Sequence, residues 1–375
     1  MRFLFVLLPL LGLQAAEIRG VWAARDSLGT REQIRTMMRN LADANFNVVY
    51  VLVWSQGYPL WHSRVFERET GILTDPQYNG RDILQEAIEE AKAVGLTVMP
   101  WVEYGFIGGW SSRRAGPAQM GPIFESHPDW VLRKKDGDHR YLMADGSFFT
   151  WMNPFHPDVQ DFLLEMMGEL IRGYEIPGLQ FDRGRLPALD AGYDDYTREL
   201  YAAESGTSGP PDAVNDGDWL RWRAGKLNEF TARLYRTLKE QDWRTLVTNA
   251  PGVYPFAYVN FAQDYPAWWK QGALDFVTPQ VYRADHAAYV QELDRQIQAL
   301  GDTRRLVAGI DITNSNNPNV LIQMIESTRA RGLPGFVIWY YQGLVRAGAL
   351  ERLRSTVFSE KADLPFRTTA TVVSN

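Results

Sequence analysis

Short apolar runs alternate with helical hydrophobic patterns eight times along this chain, and no other feature constrains the fold as strongly. The predicted strands are IRGVWAA (18–24), FNVVYVLVW (46–54), LTVMPWVE (96–103), GLQFD (178–182), TLVTN (245–249), LDFVTPQVY (274–282), RLVAGID (305–311) and GFVIWYY (335–341). Amphipathic stripes at helical spacing lie between them, namely Ile34, Met37, Met38 and Leu41; Ile83, Ala87, Ile88 and Ala91; and Val159, Phe162, Leu163, Met166, Leu170 and Ile171. Near-continuous apolar strands that alternate with helices predict an α/β fold, a parallel sheet closed into a (β/α)₈ TIM barrel.

The connections between these segments differ in length according to their direction. Helix-to-strand connections are short, as at Asn45, Val94-Gly95 and residues 332–334, whereas strand-to-helix connections are long, at residues 55–79, 104–156 and 183–217. A TIM barrel carries its active site on the face where the strands end, and the loops lengthen there. We therefore expect the functional residues at the carboxyl ends of the strands.

Composition limits the class of protein and its partners. The 375 residues are 45% hydrophobic and 22% charged, which suits one globular domain, predicted over residues 17–358 with a polar tail at 359–375. A net charge of −6 argues against a nucleic-acid partner. Thirteen Trp and seventeen Tyr either fill a large barrel or supply flat faces on which sugar rings stack. We expect a monomer that binds an oligo- or polysaccharide.

The N-terminus has the composition of a secretory signal. In MRFLFVLLPLLGLQAAE one Arg precedes an apolar stretch from Phe3 to Leu13, which is too short for a permanent membrane span. We predict a signal peptide at residues 1–16, cleaved near Ala16. The chain has no Cys, and export without disulfides suits a bacterial periplasm or cell envelope. No stable membrane insertion is expected.

Two acidic residues end neighbouring predicted strands. Glu103 ends the third in PWVEYGF, and Asp182 ends the fourth in GLQFDRGR. Adjacent strands lie about 4.8 Å apart, so both carboxyls can face one ligand. Glycoside hydrolysis uses such a pair, in which one acid protonates the leaving oxygen while the other attacks the anomeric carbon or activates water. We predict Asp182 as nucleophile or base and Glu103 as general acid.

The flanking residues suggest how the two acids are tuned. Arg183 or Arg185 would keep Asp182 ionised by lowering its pKa. The rings of Trp101 and Tyr104 would exclude water from Glu103 and so keep it protonated to higher pH. Two alternatives stay open. Asp182 could form a structural salt bridge with Arg185, and Glu103 could serve to orient an arginine.

Further polar or aromatic groups are expected to contact the substrate from seven of the eight strand ends and from the segment WMNPFHP. With the four flanking residues just named, the predicted contacts are Arg19, Trp22, Trp54, Asn153, His156, Asn249, Gln280, Tyr282, Asp311, Trp339 and Tyr341. Asp311 is the main rival of Glu103 for the second carboxylate role.

Other chemistries lack their sequence signals. The five His residues are scattered, without the spacing of a zinc site, so we expect no metal, and we predict no cofactor. The chain has no Cys nucleophile, no G-x-S-x-G elbow and no Gly-rich phosphate loop after a strand.

Several of these motifs, in order along the chain, resemble the glycosyl-hydrolase-like family 10. They are IRGVWAA, PWVEYGF, HPDW, WMNPFHPDVQDFL, YEIPGLQFD, GYDDYT, PQVYR and the last predicted strand. The resemblance implies a secreted or lipid-anchored bacterial TIM barrel of a group that cuts glycan strands, including peptidoglycan chains stripped of their peptides.

The sequence departs from that family at one important place. The family commonly shows FDDH or FDDY after the fourth strand, whereas this chain reads Phe181-Asp182-Arg183-Gly184. Side chains alternate along a strand, so we expect Asp182 to share the inward orientation of Gln180. If the family's essential acid is the second one, the chain would bind glycan without cutting it. A barrel enzyme of another class, such as a glycan deacetylase or a lyase, is a third hypothesis.

Overall fold

The computed structural model describes residues 16–112 and 119–366. The predicted signal peptide, apart from Ala16, and the last nine residues of the predicted tail lie outside this part of the chain. The eight barrel strands are β1 Ile18–Ala23, β2 Val48–Leu52, β3 Thr97–Val102, β4 Gly178–Phe181, β5 Leu246–Asn249, β6 Phe276–Val277, β7 Ala308–Asp311 and β8 Gly335–Trp339. All eight predicted strands are confirmed.

The strands form one parallel sheet that closes on itself. Each strand pairs with the next in sequence from β1 to β6, β7 pairs with β8, and β8 pairs with β1. Two parallel bridges, Val277 to Leu306 and Gln280 to Gly309, connect the β6 and β7 regions and complete the ring. The predicted TIM barrel is therefore confirmed.

Helices surround the sheet. They are α1 Arg31–Asp43, α2 Arg64–Thr70, α3 Ile83–Lys92, α4 Pro122–Ser126, α5 Pro157–Gly173, α6 Asp195–Ser205, α7 Gly217–Gln241, α8 Phe256–Phe261, α9 Tyr265–Lys270, α10 His286–Leu300, α11 Pro318–Ala330, α12 Tyr341–Arg346 and α13 Ala349–Arg354. The predicted stripes on α1 and α3 are buried against the barrel, as is the stripe on α5 except for Ile171, which is partly buried. Within the two described segments, residues 16–112 and 119–366, no helix is both long enough and apolar enough to cross a bilayer.

The long connections carry extra structure at the C-terminal face. After β2 there is a hairpin of Trp54–Ser55 and Tyr58–Pro59, and after β3 a three-stranded antiparallel sheet of Ile107–Ser111, Tyr141–Leu142 and Phe148–Trp151. The loop after β4 is tied to α7 by Arg223, whose buried guanidinium donates to three loop carbonyls at 2.6–3.1 Å. The predicted asymmetry between the two faces is present.

The opposite, N-terminal face is covered by the start of the C-terminal tail. Glu17 N donates to Asp363 O at 2.9 Å, and Asn47 Nδ2 donates to Ala362 O at 3.0 Å. The tail is therefore packed against the barrel as far as the described residues extend.

Candidate active site

Asp182 and Glu103 follow directly on neighbouring strands whose ends are held together. Val102 of β3 lies opposite Phe181 of β4, and Asp182 N donates to Val102 O at 3.0 Å. Gly105 has φ +47°, and a Cβ there would lie 2.3 Å from Asp182 O. Only glycine permits this close approach of the two backbones. The two acids are thereby fixed on adjacent strand ends.

Asp182 points into the barrel. Gln180, two residues earlier, accepts a 2.8 Å hydrogen bond from Trp22 Nε1 inside the barrel. Asp182 Oδ2 accepts from Trp101 Nε1 at 3.3 Å and from Gln280 Nε2 at 3.1 Å. The inward orientation predicted from strand alternation is confirmed.

Burial controls the protonation of both acids. Asp182 is 4% exposed and Glu103 9% exposed. Loss of solvation raises the pKa of Asp182 to about 6 and that of Glu103 to about 7, although Arg183 opposes both shifts. The prediction that arginines hold Asp182 ionised with a low pKa is wrong, because desolvation outweighs their attraction. For Glu103 the direction of the shift is as predicted.

Arg183, which directly follows Asp182 in the chain, lies against Glu103. Its Nη2 is 3.4 Å from Glu103 Oε1, and its guanidinium lies 5.4 Å from the centre of the Tyr104 ring. Arg183 has φ 50°, a left-handed conformation that non-glycine residues seldom adopt and that is enriched at functional sites. Arg183 lines the adjacent cleft, whereas Glu103 does not. This contact fits the alternative in which Glu103 orients an arginine.

An open cleft of about 640 Å³ begins at Asp182. The predicted residues Arg183, Arg185, Gln280 and Tyr282 also line it. The sequence reasoning missed the remaining lining residues, Gly252, Val253, Tyr254, Pro255, Phe256, Val259, Phe261, Arg283, Glu292 and Arg295. Most of them belong to the segment after β5, whose short helix α8 has too few residues to give a periodic pattern. The exposure of Phe256 (56%) and Val259 (46%) is visible only in the structure.

Four predicted aromatic residues meet inside the barrel mouth. Trp22 has its ring centre 6.1–6.4 Å from those of Trp101, Tyr282 and Trp339. Trp22 and Trp101 are fully buried and support the site from below, while Tyr282 and Trp339 retain partial exposure. Of the four, only these last two present area to a ligand.

Two further strand-end residues differ in how their side chains are satisfied. Asn249 is 2% exposed, and its Oδ1 has no hydrogen-bond partner among the described residues. Asp311 Oδ1 accepts from the backbone N and the hydroxyl of Thr313 at 2.6 and 2.7 Å. Asn249 is therefore a buried, unsatisfied acceptor that does not line the cleft, and Asp311 caps its own turn instead of rivalling Glu103.

Two predicted contacts lie away from the cleft. The Arg19 guanidinium bonds Glu17 at 2.8 Å and Glu360 O at 2.6 Å on the N-terminal face, because Arg19 is at the start of β1 and not at its end. The Tyr341 hydroxyl accepts from Asn40 Nδ2 at 2.9 Å, because Tyr341 begins α12 and packs against α1. Neither residue supports the predicted substrate contact.

Three more predicted contacts are occupied within the loops. Trp54 is fully buried and donates to a backbone carbonyl at 3.1 Å. Asn153 is fully buried and donates to Asp194 Oδ1 at 2.8 Å. His156 Nδ1 accepts from Asp158 N at 3.3 Å and caps α5. These side chains stabilise the loops through their hydrogen bonds and do not line the cleft.

The alternative of a salt bridge between Asp182 and Arg185 is wrong for this structure. Arg185 forms no ion pair with any residue of the two described segments; it lies over the Phe261 ring at 4.1 Å and donates to Leu186 O at 3.2 Å. In the same part of the chain, no three His, Asp or Glu side chains are grouped so as to hold a metal ion.

Curated proteins are similar in sequence to this chain. The glycosyl hydrolase DigH of Escherichia coli K12 is 24% identical over 283 residues, which are 65% of this chain and 56% of DigH. The glycosyl hydrolase YngK of Bacillus subtilis 168 is 23% identical over 284 residues, covering 70% of this chain and 51% of YngK. The chain thus spans about half the length of these curated relatives.

Solved structures share the barrel at low sequence identity. The glycoside hydrolase domain of PgaB from Bordetella bronchiseptica superposes with a TM-score of 0.63 at 15% identity, over 90% of this chain and 98% of that domain. The catalytic domain of β-amylase from Paenibacillus polymyxa gives 0.64 at 13% identity, over 92% and 99%. These likenesses support the fold alone.

The family described as Glycosyl hydrolase-like 10 matches residues 17–321. This range includes β1 to β7, both acids and the whole lining of the cleft. The chain therefore belongs to the Glycosyl hydrolase-like 10 family.

Proposed function

We propose that this chain cleaves O-glycosidic bonds of a bacterial polysaccharide, with Glu103 as general acid and Asp182 as nucleophile or base. One observation carries the proposal. Two buried carboxyls stand on neighbouring strand ends of a TIM barrel, and burial raises their pKa values to about 7 and about 6. Paired carboxyls with separated pKa values are the machinery of glycoside hydrolysis.

The surroundings of the two acids support this division of roles. Burial favours the protonated form of Glu103 near neutral pH, whereas the hydrogen bonds that Asp182 Oδ2 accepts from Trp101 and Gln280 favour its ionised form. Glu103 then donates its proton to the leaving glycosidic oxygen, and Asp182 attacks the anomeric carbon or activates a water. Glu103 reaches that oxygen when its single 3.4 Å contact with Arg183 opens.

The cleft supplies the binding groups for a sugar. Tyr282 offers an aromatic face on its floor, Phe256 and Tyr254 offer further rings, and Gln280 fixes Asp182 by donating to its Oδ2 at 3.1 Å. Sugar rings stack on aromatic faces and take hydrogen bonds at their edges. An extended saccharide is the ligand that suits this open shape.

We further propose that the protein acts outside the cytoplasm on a cell-wall glycan, such as peptidoglycan strands. The apolar leader at residues 1–16 and the absence of Cys support export. The names of the relatives DigH and YngK, both glycosyl hydrolases, support the reaction class.

The test is the release of reducing ends from peptide-free peptidoglycan strands by the protein beginning at residue 17. We expect wild type to release them, and Asp182→Asn and Glu103→Gln each to reduce release by roughly 10³-fold or more while remaining folded. Asp212→Asn is the matched control, because that carboxylate is fully exposed and forms a surface pair with Lys135. Release that persists in both active-site variants would contradict the proposal.

A second candidate is a barrel that binds glycan without cutting it. The observation that favours it is the contact of Glu103 with Arg183, which stands where the family commonly has its second acid and which separates Glu103 from the cleft. Retention of the glycan strands without new reducing ends would support this candidate. A product of unchanged length that has lost acetyl groups would instead indicate a deacetylase.

A further inference from the structure

The cleft differs in charge from the rest of the protein. Four arginines and two acids, Asp182 and Glu292, line it. Its net charge is positive with both of these acids ionised, and it stays positive when an ionised Glu103, which contacts Arg183, is also counted. The chain as a whole carries −6. A positive cleft on an acidic protein attracts an anionic ligand.

Three of the four cleft arginines already have carboxylate partners. Arg183 contacts Glu103 at 3.4 Å. Arg283 and Arg295 both bind Glu292, at 2.7 and 3.2 Å. Each of these three guanidiniums is therefore already in contact with a carboxyl group of the protein, although Arg283 and Arg295 share one.

Arg185 is the exception. Its contacts in the described segments are the Phe261 ring at 4.1 Å and Leu186 O at 3.2 Å, which leave most of its five N–H donors unused. Burial lowers the pKa of Arg185 to about 9, with the neighbouring Arg183 as a second cause and the charge of Asp182 opposing both. A partly buried cation that forms no ion pair with the described residues is costly in the unbound protein, and an incoming carboxylate would relieve that cost.

The backbone around Arg185 is fixed, so the guanidinium has a defined place in the cleft. Trp151 Nε1 donates to Arg185 O at 3.3 Å, and Leu186 N donates to Phe261 O at 3.0 Å. The second bond ties this segment to α8, which carries the cleft-lining rings of Phe256 and Phe261. The loop therefore presents cation and rings together.

The distance along the chain relates Arg185 to the chemistry. Arg185 is three residues beyond Asp182, so their Cα atoms lie at most about 10 Å apart. Both residues line the same cleft, so a group bound by Arg185 lies on the same stretch of glycan as the bond at Asp182.

Resting on the glycan-cleaving function proposed above, we infer that Arg185 is the recognition residue for a carboxylate carried by the substrate, which is an acidic glycan. The carboxylate bonds the free N–H groups of Arg185, while the sugar that carries it lies against the rings of Tyr254 and Phe256. Arg185 then selects acidic over neutral strands.

Binding, and not cleavage, is the appropriate measurement, because it separates this inference from the reaction. The probe is peptide-free peptidoglycan strands, either with free lactyl carboxylates or with these coupled to methylamine. All proteins carry Asp182→Asn, so that no probe is consumed and the change at Asp182 cancels in the comparison. We expect the neutral strands to bind about 10- to 100-fold more weakly, the range of one charged hydrogen-bonded contact.

The variants test whether Arg185 is the cause. Arg185→Gln should weaken binding of the acidic strands by that same factor and leave the neutral strands unchanged, and Arg185→Lys should restore part of the loss. Arg305→Gln is the matched control. Arg305 likewise lies over a ring, that of Trp269 at 5.5 Å, and donates to a backbone carbonyl at 2.8 Å, but it is exposed at the start of the β7 region.

Oligouronates and their methyl esters form a second pair of probes and distinguish a carboxylate on the sugar ring from one on an ether side chain. Acid selectivity that depends on Arg185 with either pair supports the inference. Equal binding of acidic and neutral strands overturns it and leaves the glycan proposal standing. Failure of every probe to bind contradicts the glycan proposal and this inference with it.

Discussion

Two glutamates at opposite ends of the barrel are each 9% exposed, and both contact arginine. Their pKa values nevertheless shift in opposite directions. Glu17 on the N-terminal face receives Arg329 at both oxygens, at 2.7 and 2.8 Å, and Arg19 at 2.8 Å. These bonds hold its pKa below the usual value even though burial, the largest single influence, acts to raise it. Glu103 on the C-terminal face has one long contact with Arg183, and its pKa rises to about 7.

The difference shows that the number and length of its hydrogen bonds, its depth in the protein and the nearby charge of Asp182 together set the pKa of Glu103 apart from that of Glu17. A fork of short charged hydrogen bonds fixes the ionised form and stabilises the fold. A single contact at 3.4 Å leaves desolvation dominant, so the acid can hold and release a proton near neutral pH. This division matches the general assignment of stability to one face of a TIM barrel and chemistry to the other.

Removal of the acids at the C-terminal face should have the largest effect. We expect Asp182→Asn or Glu103→Gln to reduce kcat/KM on glycan strands by roughly 10³-fold or more, within the range of lost acid–base catalysis. Glu17→Gln should leave the folded enzyme's kcat/KM within about twofold, because Glu17 lies on the opposite face. A comparable loss in all three variants would break the contrast between the faces.

The pH dependence of stability should separate the two glutamates next. The pKa of Glu103 is raised from 4.5 to about 7 on folding, so its ionisation costs stability as pH rises through that interval. We expect Glu103→Gln to gain on the order of 3 kcal/mol relative to wild type between pH 4 and pH 8, from denaturant unfolding. For Glu17 the sign is reversed, since its lowered pKa gives stability above pH 4.5 that is lost as pH falls. A constant difference between Glu103→Gln and wild type at all pH values would contradict the raised pKa.

Truncating the well-paired site should cost stability directly. We expect Glu17→Gln to lower the free energy of unfolding by about 2 kcal/mol at pH 7, because Arg19 and Arg329 lose their shared carboxylate. The value is below that of a fully buried pair because the Arg329 side chain is one-third exposed. Glu32→Gln, in an exposed pair with Arg35, is the control and should change stability by under about 0.5 kcal/mol.

Substitution of Asp311 should have the smallest effect on activity and stability. It compares two carboxyls, Asp311 and Glu103, on the same face of the barrel. Its carboxylate ends β7 beside the site, but Thr313 satisfies it. We expect Asp311→Asn to cost about 1 kcal/mol of stability and less than about tenfold in kcat/KM. A loss as large as that of Glu103→Gln would make Asp311 the second catalytic acid.

The sequence predicts the barrel because each strand is a continuous apolar run and each helix has a periodic stripe. The ends of the runs are less certain: LDFVTPQVY yields only Phe276–Val277 as regular strand, since Pro279 has no N–H to donate. The position of Glu103 and Asp182 on neighbouring strand ends and the inward side of Asp182 follow from strand order and alternation, and the sequence predicts both.

Other parts of the site depend on contacts that no local pattern encodes. Trp54, Asn153 and His156 have the residue types of sugar contacts but are used up within the loops. The direction of the Asp182 pKa shift depends on burial, which the sequence does not state. The rings of Phe256 and Phe261 lie on the short helix α8, and only the closed barrel places them beside Asp182.

The pH profile of kcat/KM on peptide-free glycan strands tests the carboxylate pair most directly, because its two limbs report the free enzyme's acid and base. We expect a narrow maximum between pH 6 and 7, bounded by limbs near 6 and near 7, with the alkaline limb absent from the residual activity of Glu103→Gln. A profile that is flat from pH 5 to 8, or one whose alkaline limb persists in Glu103→Gln, would contradict the assignment of these two acids.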